Sequence, residues 1–472
     1  MKIINNKFKV SSEELSAFKE ASGDWNPIHY DKEISRRYFT EKPIIHGILS
    51  LLKILNEYLF YSKVHLISIK CNFKYPVYPD IEYKLFCEKL SNSSDNVYLF
   101  HEDNLLFNCN LKFNNDFKKN LSKSNFKKPS KTKPLNQEFK NLKKSNGELI
   151  LQIDENFFKK NFQSLIDNIS KDSLASLVTT SRLVGMICPG LNSIYSSLDI
   201  VFNEHYSKKY LYWEVTSASR KFLPVNISLN SSGLSGSLSA FYREEPVKQI
   251  SIKELAKKID KKNLTPQNIL VIGGSRGIGE ITAKLLSFRN ANLKITYNKG
   301  LNDADRITNE INEFGFRATY SYLNILDSEL LEKFFNTNEH FDQIYFYASP
   351  RIRNSRKKIF DYDLYENYNK YYIKPLIKLS KILSKIKNKK SKVFFPSTIF
   401  IDEVKNNSFK EYQASKLLGE LIGEDINSKF ENIFIFSSRL PRLLTDQTSK
   451  IESLIMEDSL KVINEILDVM YS

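Results

Sequence analysis

An aspartate and a histidine lie five positions apart in Ser22-Gly23-Asp24-Trp25-Asn26-Pro27-Ile28-His29-Tyr30-Asp31, and Ile44-Ile45-His46-Gly47 follows. Each of the two side chains carries a proton when its pKa is tuned, so together they can share acid–base work on one water molecule. The Asn26-Pro27 step biases the asparagine toward extended backbone. Asp24 and His29 are therefore expected on a turn or loop, not stacked on one helical face. A second chemistry-bearing stretch is Gly273-Gly274-Ser275-Arg276-Gly277-Ile278-Gly279. It joins a short apolar run at 268–272 to a helical pattern carried by Ile281, Leu285 and Leu286. Strand, tight glycine turn and helix start is the context in which a helix amino terminus receives a phosphate. Glycine permits positive φ there and lets the backbone approach the ligand.

These groups need elements to hold them. Residues 11–22 read as a short helix, with Ser12 as its cap and Leu15, Phe18 and Ala21 on its apolar side. Residues 46–61 carry Ile48, Leu51, Leu52, Leu55 and Leu59 at helical spacing. Alternating, aromatic-rich runs follow at 65–73, 83–90, 97–101 and 105–113 and read as strands. A helix followed by an antiparallel sheet is an α+β module. Residues 117–144 hold ten lysines against the one acid Glu138, with serines, Pro129 and Pro134, and read as a solvated linker. Strand-like runs resume at 191–202 and 211–215, after a stretch from Ala175 through Ser181-Arg182-Leu183-Val184-Gly185 to Pro189-Gly190. Residues 248–267 read as a charged, helical connector. Beyond it, strands at 293–297, 318–322, 343–347, 392–395 and 433–437 alternate with helices from 328 and 364. That alternation predicts a parallel, doubly wound sheet.

The first stretch resembles the signature of the MaoC-like, (R)-specific enoyl-thioester hydratases, which have the hot-dog fold. The resemblance rests on the Gly-Asp-x-Asn-Pro-x-His core at 23–29, on His46-Gly47, and on Phe73-Lys74-Tyr75-Pro76-Val77-Tyr78-Pro79-Asp80. The glycine that the family places before that last aspartate is missing. The resemblance implies that Asp24 and His29 activate a water, and that backbone amides near His46-Gly47 hold the thioester oxygen as it becomes enolate-like. Asn26, His46 and Gly47 are the implied substrate-binding or oxyanion groups. Such proteins often pair a catalytic with a non-catalytic hot-dog unit. Residues 147–247, which lack the Asp-x-Asn-Pro-x-His run, resemble the silent partner that completes an acyl tunnel and covers a sheet edge. A specificity domain of another fold is the alternative.

The Gly-x3-Gly-x-Gly spacing resembles the short-chain dehydrogenase/reductase family. That resemblance implies dinucleotide binding by Gly273, Ser275, Arg276, Gly277, Ile278 and Gly279, with Asn298, Lys299 and Asn324 at later strand ends. The strand at 293–297 ends in Asn298-Lys299 and not in the acid that would grip a ribose 2′-hydroxyl, and Arg276 and Lys299 suit a 2′-phosphate instead. NADPH is therefore expected over NADH. Tyr412-Gln413-Ala414-Ser415-Lys416 supplies the family's Tyr-x3-Lys pair, one helical turn apart. Lys416 would lower the phenol's pKa and touch the nicotinamide ribose, and Tyr412 would pass a proton to the carbonyl as hydride arrives. Ser397 would hydrogen-bond that carbonyl, with Thr398 as fallback because Ser397 lies fifteen positions before Tyr412. Two departures stand out. Phe346-Tyr347-Ala348-Ser349-Pro350 replaces Asn-Asn-Ala-Gly, and the family's relay asparagine falls near Tyr371 or Tyr372.

With 472 residues several domains are expected. Cys71, Cys87, Cys109 and Cys188 are scattered without a CxxC pair, which argues for a reducing cytoplasm and against structural zinc, and no metal is expected. The amino terminus shows no long apolar signal, and the best apolar run, 44–55, is too short to span a bilayer. The net charge of +16 follows abundant lysine throughout. Without aromatics interleaved on a structured face it does not indicate nucleic acid, but it suits an anionic coenzyme A tail or an acyl carrier protein. The expected chain is an α+β double hot-dog followed by an α/β Rossmann-type doubly wound parallel sheet. Its parts are a catalytic hot-dog (1–116), a lysine-rich linker (117–146), a silent hot-dog (147–247), a connector (248–267) and a reductase (268–472). The expected function is an NADPH-dependent 3-oxoacyl-thioester reductase joined to a (3R)-hydroxyacyl dehydratase, in a cytoplasmic homo-oligomer. The alternative is a reductase of a sugar or polyketide ketone whose front half only binds acyl groups or dimerises.

Overall fold

The computed structural model describes residues 6–38, 40–114, 125–203, 209–219, 224–243, 245–355, 357, 359–386, 388–403, 409–446 and 457–472. It divides into two compact units, Met1–Glu245 and Pro246–Ser472.

The first unit is built on one antiparallel sheet. Its strands are β1 (Asn6–Phe8), β2 (His65–Phe73), β3 (Tyr83–Lys89), β4 (Ser94–His101), β5 (Asn104–Asn114), β6 (Asn146–Ile150), β7 (Ser193–Phe202), β8 (Tyr210–Ala218), β9 (Pro224–Asn230) and β10 (Leu234–Tyr242). They pair in the order β1-β3-β4-β5-β2-β7-β10-β9-β8-β6. Read outward from the β2–β7 seam, both halves have the same topology, and each half cradles one long helix. In the first half that helix is Gly47–Ser62, whose Ile48, Leu51, Leu52, Leu55 and Leu59 are fully enclosed. In the second it is Lys171–Arg182, buried on nearly every side. Alternation along each strand, such as Tyr83, Leu85 and Cys87 inward on β3, supplies the sheet's share of the core.

The separate domains expected at 1–116 and 147–247 are in fact halves of one unit. Ser68↔Val201 through Asn72↔Ser197 join them in register, and one hydrophobic core runs through both. The lysine-rich linker also differs from expectation. Residues 117–124 lie outside the described residues, but 125–137 form a bonded strap. Ile153 N donates to Lys127 O, Leu135 N to Met186 O and Leu191 N to Leu135 O, the last two at 2.8 Å. Pro129 is buried against Gly23. Lysine content misleads here because the lysines of the strap are exposed while its backbone bonds to the rest of the unit.

The second unit has six parallel strands, β11 (Asn268–Ile272), β12 (Asn292–Tyr297), β13 (Arg317–Tyr322), β14 (Gln343–Phe346), β15 (Ser391–Thr398) and β16 (Ile433–Leu440). Their order, β13-β12-β11-β14-β15-β16, is the doubly wound 3-2-1-4-5-6 arrangement, with its switch point between β11 and β14. The expected helical connector reduces to Ile252–Leu255, capped by Ser251 and Glu254, and its two apolar ends are buried in this unit's core. The last helix, Ser459–Tyr471, buries Ile463, Leu467 and Met470. Residues 447–456 lie outside the described residues.

Residues 1–116 expressed alone would expose the β2 edge and half a core. They are expected to aggregate or to melt without a cooperative transition, whereas residues 1–245 melt cooperatively. A monomeric 1–116 fragment with a sharp calorimetric transition would contradict the shared core.

Candidate functional site

Asp24 follows directly on a helix end. The helix Ser12–Ser22 is opened by a capping box of Ser11 and Glu14, one position earlier than expected, while the Ser12 hydroxyl is bound to Asp80. It closes on Gly23 at φ 74°, where a Cβ would also strike Pro129 at 2.6 Å. The chain then enters the short turn Pro27–His29, capped by Asn26 Oδ1 accepting from Ile28 N. The Asn-Pro step thus places Asp24 and His29 on a turn, as the sequence predicts.

Asp24, His29 and His46 converge, with one ligand atom of each within 4.8 Å of the others. The two imidazoles stack at 3.6 Å. His29 Nδ1 lies 2.8 Å from the Ile44 carbonyl. A carbonyl only accepts, so Nδ1 carries the proton, and the neutral ring keeps Nε2 as its base. By the same argument His46 Nε2, 3.1 Å from the Asp24 carbonyl, is protonated. Burial pushes the Asp24 carboxyl up to about 7, against the pull of the Ser181 hydroxyl, the Asn26 N–H and Arg182. Burial pushes His29 down to about 4, and His46 well below its ordinary value. Near neutrality the site therefore pairs a carboxyl group at its titration point with a neutral imidazole. Beside it, the helix Gly47–Ser62 starts at His46 with no side-chain cap, which leaves the first-turn N–H groups and the positive end of the helix dipole for a ligand oxygen.

The second half of the unit holds this site in place. Ser181 Oγ donates to Asp24 Oδ2 at 2.7 Å. Trp25 N donates to Met186 Sδ. At Gly185 a Cβ would sit 2.1 Å from Asp24 Oδ1, so the carboxylate lies directly on that glycine's backbone. Asn26, expected to bind substrate, is fully used in structure. Its Nδ2 donates to the carbonyls of Gly185 at 3.0 Å and of Gly190 and Leu191 at 3.2 Å. His46 is likewise a wedge that fixes the His29 ring and the Asp24 backbone. Ser181 and Gly185 had no role in the sequence reading, although their stretch drew notice. Only a contact spanning more than 150 positions gives them one.

In the second unit, the glycine loop fits a phosphate. Gly273 and Gly277 have φ of 80° and 57°. A Cβ on Gly279 would meet Gly273 O at 2.3 Å, and one on Gly274 would meet Ile295. The helix Gly277–Ser287 begins at Arg276 without a side-chain cap, with Ser275 buried and Ile278 half-buried beside it. Asn298 and Lys299 are exposed beyond β12, whose last residue is Tyr297, with no acid there. Asn324 accepts from Leu326 N within its own turn.

The helix Lys410–Lys429 carries Tyr412 and Lys416, both buried. Thr398, not Ser397, is turned toward the Tyr412 hydroxyl. Ser397 is buried on the side of Glu420. Neighbours alternate between the faces of a strand, so only one of the two can face the phenol. Burial raises the Tyr412 pKa and pushes Lys416 down to about 7. Lys416 Nζ donates to Pro396 O at 2.6 Å.

Gly185→Ala should lower the melting temperature of the first unit by several degrees, because overpacking costs about 1–3 kcal/mol. In an Asp24→Ala background less than half of that drop should remain. An equal drop in both backgrounds would show that Asp24 does not lie against Gly185.

Comparison with known proteins locates the family on the chain. Residues 3–96 match the family described as MaoC like domain. Over 70 residues the chain is 37% identical to the mitochondrial 3-hydroxyacyl-(acyl-carrier-protein) dehydratase of Arabidopsis thaliana, covering 14% of this chain and 42% of that protein. The match thus spans less than half of that relative's length. Among solved structures, the FolM alternative dihydrofolate reductase 1 of Brucella canis complexed with NADP is 16% identical, over 44% of this chain and 88% of that one, with a TM-score of 0.39. A short chain dehydrogenase from Burkholderia cenocepacia in complex with NADP is 19% identical, over 44% and 92%, at 0.38. Residues 3–96, which hold Asp24, His29, His46 and Gly47, carry a MaoC like domain.

Proposed function

We propose that the chain is a bifunctional reductase/dehydratase of acyl thioesters. The observation that carries the reading is the convergence of Asp24, His29 and His46 within 4.8 Å, beside the uncapped start of the helix Gly47–Ser62. Asp24 as carboxylate and His29 Nε2 would share one water. In the hydrating direction its oxygen bonds to C3 of a trans-2-enoyl thioester as one of them draws off a proton. The π pair moves onto C2, which takes up a proton, so the atoms added are those of water alone. The thioester oxygen, enolate-like in between, faces the first N–H groups of the helix at Gly47. In reverse the same groups dehydrate a (3R)-hydroxyacyl thioester. The 3-hydroxyacyl chemistry in the Arabidopsis relative's name fits this direction, and the carrier, acyl carrier protein or coenzyme A, belongs to the proposal. The matching topology of the two halves supports a double hot-dog. Among the described residues only the first half brings an acid and imidazoles together. The second half's helix is capped by Ser170, which occupies the position left open in the first.

The second unit would supply the 3-hydroxy substrate. Gly273, Gly277 and Gly279 would hold the pyrophosphate of NADPH, and the missing acid after β12, with Lys299 and Arg276 near, favours a 2′-phosphate. NADPH supplies hydride when bound. Tyr412 gives its proton to the ketone oxygen, with Thr398 hydrogen-bonded to the same oxygen and Lys416 stabilising the phenolate left behind. A 3-oxoacyl thioester thus becomes the 3-hydroxy compound that the first unit dehydrates.

The two activities should fail separately. Asp24→Asn is expected to lower crotonyl-thioester hydration at least ~100-fold while NADPH oxidation persists. Tyr412→Phe is expected to do the reverse. Loss of both activities from either substitution alone, in a protein that still melts normally, would contradict two independent sites.

A further inference from the structure

Two residues that depart from the reductase pattern touch each other. Ser349 follows β14, and Tyr372 lies on the helix Tyr362–Leu383. Their side-chain oxygens are 2.6 Å apart. Ser349 Oγ donates to the Pro350 carbonyl at 2.8 Å, which uses its single proton. The Tyr372 hydroxyl therefore donates to Ser349, and the phenol ring is fixed from its far end.

The face of that ring receives Lys416. Nζ lies 3.8 Å from the Tyr372 centroid, against 4.7 Å for Phe395 and 5.8 Å for Tyr412. Facing the ammonium are Tyr412 and Glu420 from its own helix, Tyr372 from the neighbouring helix, and Phe395 with the Pro396 carbonyl from β15. Glu420 is engaged bidentately by Arg439 of β16. Among the described residues no carboxylate stands at ion-pair distance from Lys416, so this buried cation relies on a carbonyl and aromatic faces.

We infer that Tyr372 is a positioning residue of the reductive site: pinned by Ser349, its ring holds the Lys416 ammonium on the helix face that Lys416 shares with Tyr412. The ring does the holding, and the hydroxyl only locks the ring. The catalytic consequence rests on the reductase reading, but the contact does not.

The test has two readouts on the full chain. The first is a cycle of melting temperatures for wild type, Tyr372→Leu, Lys416→Met and the double variant. Tyr372→Leu is expected to lower the second unit's melting temperature by several degrees, and by less than half as much beside Lys416→Met. Equal drops overturn the contact. The second is the pH profile of NADPH oxidation with a 3-oxoacyl thioester. Losing the ring disfavours the ammonium form, so the alkaline limb should move down by about one pH unit in Tyr372→Leu and by much less in Tyr372→Phe, which keeps the ring and loses only its lock. A shift in Tyr372→Phe as large as in Tyr372→Leu assigns the work to the hydroxyl and overturns the inference. Should Tyr372→Leu fail to fold, Ser349→Ala frees the ring without removing it, and a smaller shift in the same direction is expected. A wild type that oxidises no NADPH with any 3-oxoacyl thioester sinks the reductase reading, while the melting cycle still decides the contact.

Discussion

The arrangement of the first unit depends on one buried carboxyl group. Asp24 leaves water to lie on the backbone of Gly185 and under the Ser181 hydroxyl. A carboxylate so placed is expensive to ionise, which is why its pKa rises to about 7. A carboxyl group at its titration point near neutral pH suits proton transfer. Its surroundings are built by the two halves together. The stretch from Ser181 to Leu191 serves as the floor of the site, Asn26 ties the turn that carries Asp24 and His29 to three carbonyls of that floor, and the strap at 125–137 closes over Gly23. The second half thus holds the Asp24 turn of the first half in place.

The second unit meets the same problem with the opposite sign. Among the described residues Lys416 is a buried cation without a contacting acid, lowered to about 7 by burial, and held by a carbonyl and aromatic faces. In both units a group that would be fully charged in water is brought near its titration point at neutral pH. The first site lies where backbone N–H groups are left open, at the helix start Gly47, and the second unit has a like uncapped start at Gly277. The chain uses one physical recipe twice on unrelated scaffolds.

Much of this was legible in the sequence because the signals are local. The Asn26-Pro27 step announces a turn, the glycine spacing after an apolar strand announces a phosphate cradle, and Tyr412 and Lys416 fall one helical turn apart. What failed was long-range. Nothing near Asn26 indicates that its amide is spent on carbonyls more than 150 positions away. The lysines of the strap hide a backbone that bonds across the site. Strands β1, β6, β9 and β10 were missed because they are short, or bear serine and asparagine on their outer faces, as in Leu234–Tyr242. The choice between Ser397 and Thr398 hinges on strand facing, and a shift of one residue reverses it. The departures at Ser349 and Tyr372 meet in one hydrogen bond across 23 positions, which nothing local in the sequence indicates.

The most direct test is the titration of the Asp24 carboxyl itself, followed by carbon-13 NMR in full-length protein carrying labelled aspartate, with Asp24→Asn to assign the signal. An apparent pKa near 7 is expected, and Ser181→Ala should raise it, because that hydroxyl favours the ionised form. A value near 4, unmoved by Ser181→Ala, would mean that the carboxylate is solvated and unsupported by the second half, and would contradict the account of the site.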